Sequence, residues 1–284
     1  MLHTHRPALC ATLEMARRVD RAEIDFCALA GEVGSQRGVE RLEAGGGLAL
    51  FGKAGSPLNK VLGLGLGVQV TDEDLDRIEE FYAARGTSAQ IELCPLAASD
   101  VAPRLTARGF VLQAFENELA RTIGRGVGTD LIRPDEVRVT QARPDQDQLW
   151  IRVTAEGFAA FEAPVSGGPA PEIPSLDAMM EMMSQFAHPR IRRYLAWIGD
   201  APAGGGAAWI HEGVVGISGT ATLAPFRRRG VQRAITISAM EDAADAADLA
   251  IATTAPGSTS QRTFERLGFQ VLYTRAILVK PFGA

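Results

Sequence analysis

Two stretches of this chain carry the same order of apolar and polar runs. In the later one, Gly216 to Leu223 predicts a strand and Val231 to Ala247 a helix, with Ala234, Ile237, Met240, Ala244 and Ala247 at helical spacing. Leu249 to Thr253 predicts the next strand, and a short helix closes at Arg266-Leu267-Gly268-Phe269 ahead of a strand from Gln270 to Val279. In the earlier one, Lys60 to Val70 predicts a strand and Thr71-Asp72-Glu73-Asp74-Leu75-Asp76 opens a helix. Ala89 to Leu93 follows as a strand, and a short helix closes at Arg108-Gly109-Phe110 before a strand from Val111 to Leu119. The shared order is an internal repeat. Between the copies, Gly124-Arg125-Gly126-Val127-Gly128-Thr129-Asp130 with Pro134 reads as a connector, so a boundary is expected near Asp130, between domains 1–130 and 131–284.

Further elements are predicted in the second half. Val137 to Gln141, Arg192 to Ile198 and Gly204 to His211 are strands, and Pro144 to Phe158 and Ser175 to Phe186 are helices. Glu212-Gly213 fits a tight hairpin turn, and Gly167-Gly168-Pro169-Ala170-Pro171 a loop between helices. Strands alternating with helices place the chain in the mixed α/β class.

The 284 residues, 46% hydrophobic and 22% charged, are enough for two ordinary globular domains. A formal charge of −5 argues against general nucleic-acid binding, so a basic cluster here is a local island aimed at something small. Cys10, Cys27 and Cys94 lack metal-ligand spacing and read as small hydrophobes in a reducing compartment, with no metal expected. His3, His5 and Arg6 precede Pro7 without an apolar signal core, and no run reaches membrane-spanning length. A cytoplasmic protein with no membrane association is expected.

Such an island lies at Thr222-Leu223-Ala224-Pro225-Phe226-Arg227-Arg228-Arg229-Gly230-Val231-Gln232-Arg233, where a strand turns into an alanine-rich helix. A helix start carries unpaired N–H groups and partial positive charge, and therefore favours acids. This one has Arg227, Arg228, Arg229 and Arg233 instead, and its far end has Asp242, Asp245 and Asp248. A phosphate seated on the N–H groups of Gly230 to Arg233 would restore the balance. The helix opened by Thr71 to Asp76 has the opposite, ordinary order and would repel phosphate. Gly63-Leu64-Gly65-Leu66-Gly67 before it has the wrong spacing for a dinucleotide loop and is read as a glycine-rich strand.

Together with Arg227-x-x-Gly230-x-Gln232 and Phe264-Glu265-Arg266-Leu267-Gly268-Phe269, this order resembles the GCN5-related N-acetyltransferase superfamily. The resemblance implies two such domains, each a mixed central sheet flanked by helices, with the first a degenerate copy lacking the phosphate loop. It implies acetyl-coenzyme A as cosubstrate, its pyrophosphate on the amides of the arginine loop, with Gln232 in place of the usual small residue. The pantetheine arm would lie between splayed strands ending at Thr222 and Leu223 and at Thr254, with the acyl carbonyl on the Leu223 N–H as an oxyanion site.

The same resemblance places a tyrosine that protonates the thiolate where this chain has Phe264, and an asparagine that binds the pantetheine arm at Gly257. Ser258 and Ser260 are the substitute polar contacts and Tyr273 the substitute acid, although Ser258 also suits a helix cap with Gln261, and Tyr273 an amphipathic strand. An amine acceptor needs a base more than the thiolate needs an acid. Glu156, Glu162, His211 and Glu212 are the candidates, and Glu156, near Phe158 and Phe161, is preferred; a solvated helix-end charge is its plain alternative. Met179, Met180, Met182, Met183 and Phe186 form an apolar wall of core or pocket.

The expected function is transfer of an acetyl group to a small-molecule amine by a monomer or homodimer. The alternatives are a non-catalytic acyl-coenzyme A sensor, motivated by Phe264, and a nucleotide-binding module, disfavoured because Val231-Gln232 is not the Lys-Ser/Thr of the common phosphate loop.

Overall fold

The computed structural model describes residues 9–33, 38–128, 131–160 and 175–283. The chain opens on α1 (Leu13–Glu32), capped by the Thr12 hydroxyl accepting from the Met15 N–H. It continues through β1 (Glu40–Ala44), β2 (Gly47–Phe51), β3 (Val61–Leu62), α2 (Asp72–Ala83), β4 (Ala89–Leu93), α3 (Val101–Ala107) and β5 (Val111–Thr122). The second half comprises β6 (Val137–Gln141), α4 (Asp147–Ala159), α5 (Leu176–Ser184), β7 (Arg192–Ile198), β8 (Ala201–His211), β9 (Val214–Thr222), α6 (Val231–Ala243), β10 (Leu249–Thr254), α7 (Thr259–Arg266) and β11 (Gln270–Lys280).

All these strands join one mixed sheet in the order β1-β2-β3-β4-β11-β5-β10-β9-β8-β7-β6. The two halves exchange their last strands across its middle. The C-terminal β11 lies between β4 and β5, and β5 lies between β11 and β10. A sheet ladder satisfies backbone groups regardless of how far apart its strands are in sequence, so the seam is continuous hydrogen bonding. The expected boundary residues Thr129 and Asp130, and the Gly167–Pro171 loop, lie outside the described residues.

One sheet face is covered by α1, α4 and α5, whose Phe26, Leu29, Trp150, Ile151 and Met179 share a core with Trp209 of β8. The other is covered by α6 and α7 through Ala234, Ile237, Met240 and Phe264. Helix α1 straddles the halves: its Ala16, Val19 and Ala22 pack with Val214, Leu249, Ile251 and Tyr273. Burying a side chain the size of Val19 or Phe26 contributes about 1.5–3 kcal/mol.

Two features depart from the sequence expectations. The run from Lys60 to Val70 forms only the short β3; Gly63, Gly65 and Gly67 adopt φ of +77°, +73° and +68°, turning the chain while Leu64 and Leu66 stay buried. Its apolar alternation comes from buried turns rather than a pleat. Helix α1, for its part, follows from the spacing of Ala16, Val19, Ala22, Phe26 and Leu29 behind a threonine cap, a pattern the sequence reading left unassigned. At Glu212-Gly213 both φ values are positive, +44° and +80°, as a two-residue hairpin of the twist-matched type requires.

Candidate active site

Strands β9 and β10 pair in parallel only from Val214/Leu249 to Gly216/Ile251. Beyond that point β9 runs on to Thr222 and β10 to Thr254 without a ladder between them, so the sheet opens into a V. The register of β8 against β9 shifts between Gly205 and Ala207, a bulge that bends β9 along the open stretch. The start of α6 lies just beyond β9. Gly230 is its N-cap residue at φ +80°, and a Cβ there would stand 2.5 Å from Cγ of Pro134. Both the left-handed backbone and the close approach select glycine.

The first backbone acceptor bond at this helix start is Ala234 N–H to the Gly230 carbonyl, at 2.9 Å. The N–H groups of Val231, Gln232 and Arg233 therefore point out of the first turn, as a helix start requires. Val231 itself anchors that turn, buried with its Cγ1 against Gly204 of β8.

The arginines divide their work. Arg227 donates to the Ala160 carbonyl, with that of Gly157 at 3.5 Å, and so fastens the loop to the negative C-terminal end of α4. Arg229 Nε donates to Glu136 Oε1 at 2.9 Å, with a second contact to Oε2, and this pairing holds the Glu136 carboxyl below its ordinary range. Arg228, with φ +62°, is exposed and makes no ion pair among the described residues, and Arg233 has a buried Nε without a hydrogen-bond partner. Two of the four predicted phosphate contacts thus have protein partners on their side chains.

Other predicted contacts are also engaged. The Leu223 N–H donates to the Ala203 carbonyl at 3.0 Å, so it is not the free oxyanion donor expected; Thr222, its neighbour, is held in register with Gly204. Gln232 Nε2 donates to Ser260 Oγ at 2.8 Å, tying the start of α6 to that of α7. Ser258 is the cap of α7, accepting from the Gln261 N–H at 3.1 Å, while Gln261 Oε1 accepts from the Gly257 N–H. Phe264 is buried edge-to-face on Phe269, with ring centroids 5.0 Å apart, as part of the core. By contrast the Thr254 hydroxyl, on the open stretch of β10, is buried without a partner.

The predicted proton-transfer residues are dispersed. Glu156 is exposed on α4, and Gly157 beside it packs on Ala221 and Thr222 of β9; Phe161, one of the two aromatics near it in sequence, lies outside the described residues. Tyr273 is separated from β10 by β5, because β11 does not pair with β10. It is buried under α1 with its hydroxyl 3.3 Å from Asp20 Oδ1, and burial and the Asp20 charge push the phenol well above its ordinary range. His211 Nδ1 is 3.4 Å from Asp25, and Glu212 accepts from Arg21 at 3.2 Å, so both serve the junction with α1. Glu162 lies outside the described residues.

The strand exchange builds a cluster that sequence reading missed. Arg275 of β11 is fully buried among carboxylates from three elements: Glu92 at 2.9 Å, Glu118 at 3.0 Å, Asp20 at 3.5 Å, and Glu23 in direct contact. Lys60 adds a second cation, 2.5 Å from Glu92. Burial raises Asp20 to about 6 and Glu118 well above its ordinary value, against the pull of Arg275. Glu92 goes the other way: burial alone would raise it, but Lys60 and Arg275 together bring it down. The cluster reaches solvent at the exposed Thr253, on the open stretch of β10, whose Oγ1 lies 2.9 Å from Glu23 Oε1 and 2.8 Å from Glu118 Oε1. Spacing along the chain gave no signal for it: Asp20 and Glu23 lie in the charged run Arg17 to Asp25, and Glu118 in Glu116-Asn117-Glu118, which read locally as solvated charges.

No protein-family model matches the chain, and no curated protein matches it by sequence. Solved structures do. A GCN5-related N-acetyltransferase from Kribbella flavida superposes with a TM-score of 0.67 at 22% identity, covering 95% of this chain and 96% of that one. A functionally unknown conserved protein from Staphylococcus epidermidis gives 0.61 at 14% identity, over 86% of this chain and 94% of that one. A tandem protein of the same acetyltransferase family from the clavulanic acid biosynthesis pathway gives 0.54 at 13% identity, over 97% and 98%. The V between β9 and β10, the arginine loop and these superpositions agree: over nearly its whole length this chain has the fold of the GCN5-related N-acetyltransferases.

Proposed function

We propose that the chain is an acetyl-coenzyme A dependent N-acyltransferase whose coenzyme site is the V between β9 and β10 and the start of α6. The observation that carries this reading is the opening itself: two parallel strands part after Gly216 and Ile251, and the opening leads to a helix start with outward N–H groups, a glycine N-cap and cationic side chains. Pyrophosphate would rest on the N–H groups of Val231 to Arg233, with Arg228 and Arg233 adding charge-assisted bonds. The pantetheine arm would complete the missing ladder on β9 and β10, with the Thr254 hydroxyl beside it. The known acetyltransferases among the superposed structures support the reading at the level of fold.

A second reading, a coenzyme-binding sensor, draws on one observation: Phe264 supplies no hydroxyl and Tyr273 faces α1 instead of the V. Calorimetric titration with acetyl-coenzyme A, followed by thiol release with primary amines, separates the two. Micromolar binding with amine-dependent thiol release is expected; binding without release across a broad amine panel favours the sensor, and absence of binding rejects both.

A further inference from the structure

The cluster around Arg275 holds more negative than positive groups. Among the described residues, Asp20, Glu23, Glu92 and Glu118 face only Lys60 and Arg275 as cations, and Glu116, Cys27, Cys94 and Tyr273 are the other titratable groups around them. A surplus of buried negative charge is costly, and it is relieved by protons or by a cation from outside. The geometry at Thr253 bears on which. Its hydroxyl touches a carboxylate oxygen of both Glu23 and Glu118 yet has one hydrogen to donate. One of the carboxyls must therefore hold a proton and donate to Thr253 Oγ1. Glu118, 1% exposed at its side chain and raised well above its ordinary range by burial, is the carboxyl suited to donate; Thr253 then donates to Glu23, which is 13% exposed and lies on the solvent side. Glu118 Oε2 is also buried with no hydrogen-bond partner, an acceptor the fold leaves unfilled.

We propose that Glu23, oriented by the Thr253 hydroxyl and Glu118, seats the ammonium group of the acceptor and takes its proton, so that the acceptor is a cationic primary amine. This rests on the acyltransferase reading and assigns its base to a residue of the first half. Thr253 stands on the stretch of β10 that flanks the V, on the sheet face covered by α1, α4 and α5 and opposite α6. Phe26, one turn beyond Glu23 on α1, packs 5.1 Å from Phe186, whose ring covers Gly219 on the open part of β9. An amine entering beside that aromatic wall meets a carboxylate at the edge of the opening.

The step balances without a further reagent. The ammonium gives one proton to Glu23, and the free amine attacks the thioester carbonyl. The N–C bond forms and the C–S bond breaks; the second N–H proton goes to the departing sulfur, and Glu23 returns its proton to solvent. Glu23 is the catalytic base; Thr253 and Glu118 are positioning residues.

The test uses the full chain with benzylamine, 1,4-diaminobutane and agmatine as acceptors, and with calorimetric acetyl-coenzyme A affinity measured on every variant. Glu23→Gln should lower kcat/KM at least about 100-fold with coenzyme affinity unchanged within about 2-fold. Thr253→Val, at an exposed position that spares the fold, should lower it about 10-fold and move the ascending limb of kcat/KM against pH to higher pH, because the Glu23 carboxylate loses a donated bond. Thr253→Ser should restore both. Normal turnover and an unmoved pH profile in Glu23→Gln and Thr253→Val would overturn the proposal and leave the acyltransferase reading standing. So would coenzyme binding with no turnover of any of the three amines by the wild type. Failure of the wild type to bind coenzyme would remove both.

Discussion

The two helix starts of the repeat, α2 and α6, follow equivalent strands and are built for opposite tasks. At α2, Thr71 and Asp74 form a reciprocal capping box, and Asp72, Asp76 and Glu79 take up Arg104 of α3 and Arg108 at its C-cap, with Asp76 2.6 Å from Arg108. The parting of β3 from β4 is closed as well. Ala98 N–H donates to the Gly65 carbonyl at 3.0 Å, and Arg17 of α1 donates to the Leu66 carbonyl at 2.9 and 3.1 Å. What stays is a shallow depression of about 530 Å³ between Leu13, Gly65, Gly67 and Leu96. At α6 there is no acid in the first turn and no side-chain cap, and the strands before it stay apart. One fold thus yields a self-satisfied end or an anion seat according to which side supplies the missing negative charge.

Four variants test this contrast and the seam between the halves. The largest effect is expected from Gly230→Val. It forces a β-branched residue into φ +80° and drives Cβ toward Pro134, so acetyl-coenzyme A affinity should fall at least roughly 100-fold, about 2.7 kcal/mol. The same strain should lower folding stability by about 1–3 kcal/mol, which thermal unfolding reads separately. Next, Arg228→Gln with Arg233→Gln should weaken binding about 10-fold at low salt and less at high salt, because part of the attraction is screened. A salt-independent loss would place the phosphate elsewhere.

The third addresses the seam between the halves. Asp20 is raised to about 6 by burial, so the folded chain keeps a proton that the unfolded chain sheds near its ordinary 3.8. The folded state binds more protons in that window, and stability contributed by this group falls as pH rises through it. Asp20→Asn, which cannot titrate, should therefore gain on the wild type by roughly 1.5 kcal/mol between pH 5 and pH 8, seen as a growing difference in Tm. A difference in Tm that shrinks over that range would contradict the assignment. The smallest effect belongs to Asp72→Asn with Asp76→Asn: a slight fall in Tm at low salt that vanishes at high salt, with coenzyme affinity unchanged. A marked loss of affinity there would erase the distinction between the two helix starts.

Much of the chain was legible locally. β6, β7 and β4 fall on the predicted residues, and α6 starts where the charge reversal and Gly230 placed it. The cap role of Ser258 was visible in its spacing to Gln261. The side-chain roles were less visible. That Arg227 holds α4, that Arg229 holds Glu136 and that the Leu223 N–H serves Ala203 are contacts between residues far apart in sequence, where spacing carries no signal. That Tyr273 lies under α1 and away from the V follows from β11 pairing with β4 and β5, a strand order that no local spacing encodes.

The local sequence thus carried most of the elements and the cationic turn, because helix periodicity, strand runs and capping act within a few residues of the chain. The tertiary structure alone decided that β5 and β11 change places and that α1 spans the seam, since ladder bonds and apolar burial reward any strand that fits, wherever it comes from. Those two choices bring Asp20, Glu23, Glu92, Glu118 and Arg275 together beneath Thr253.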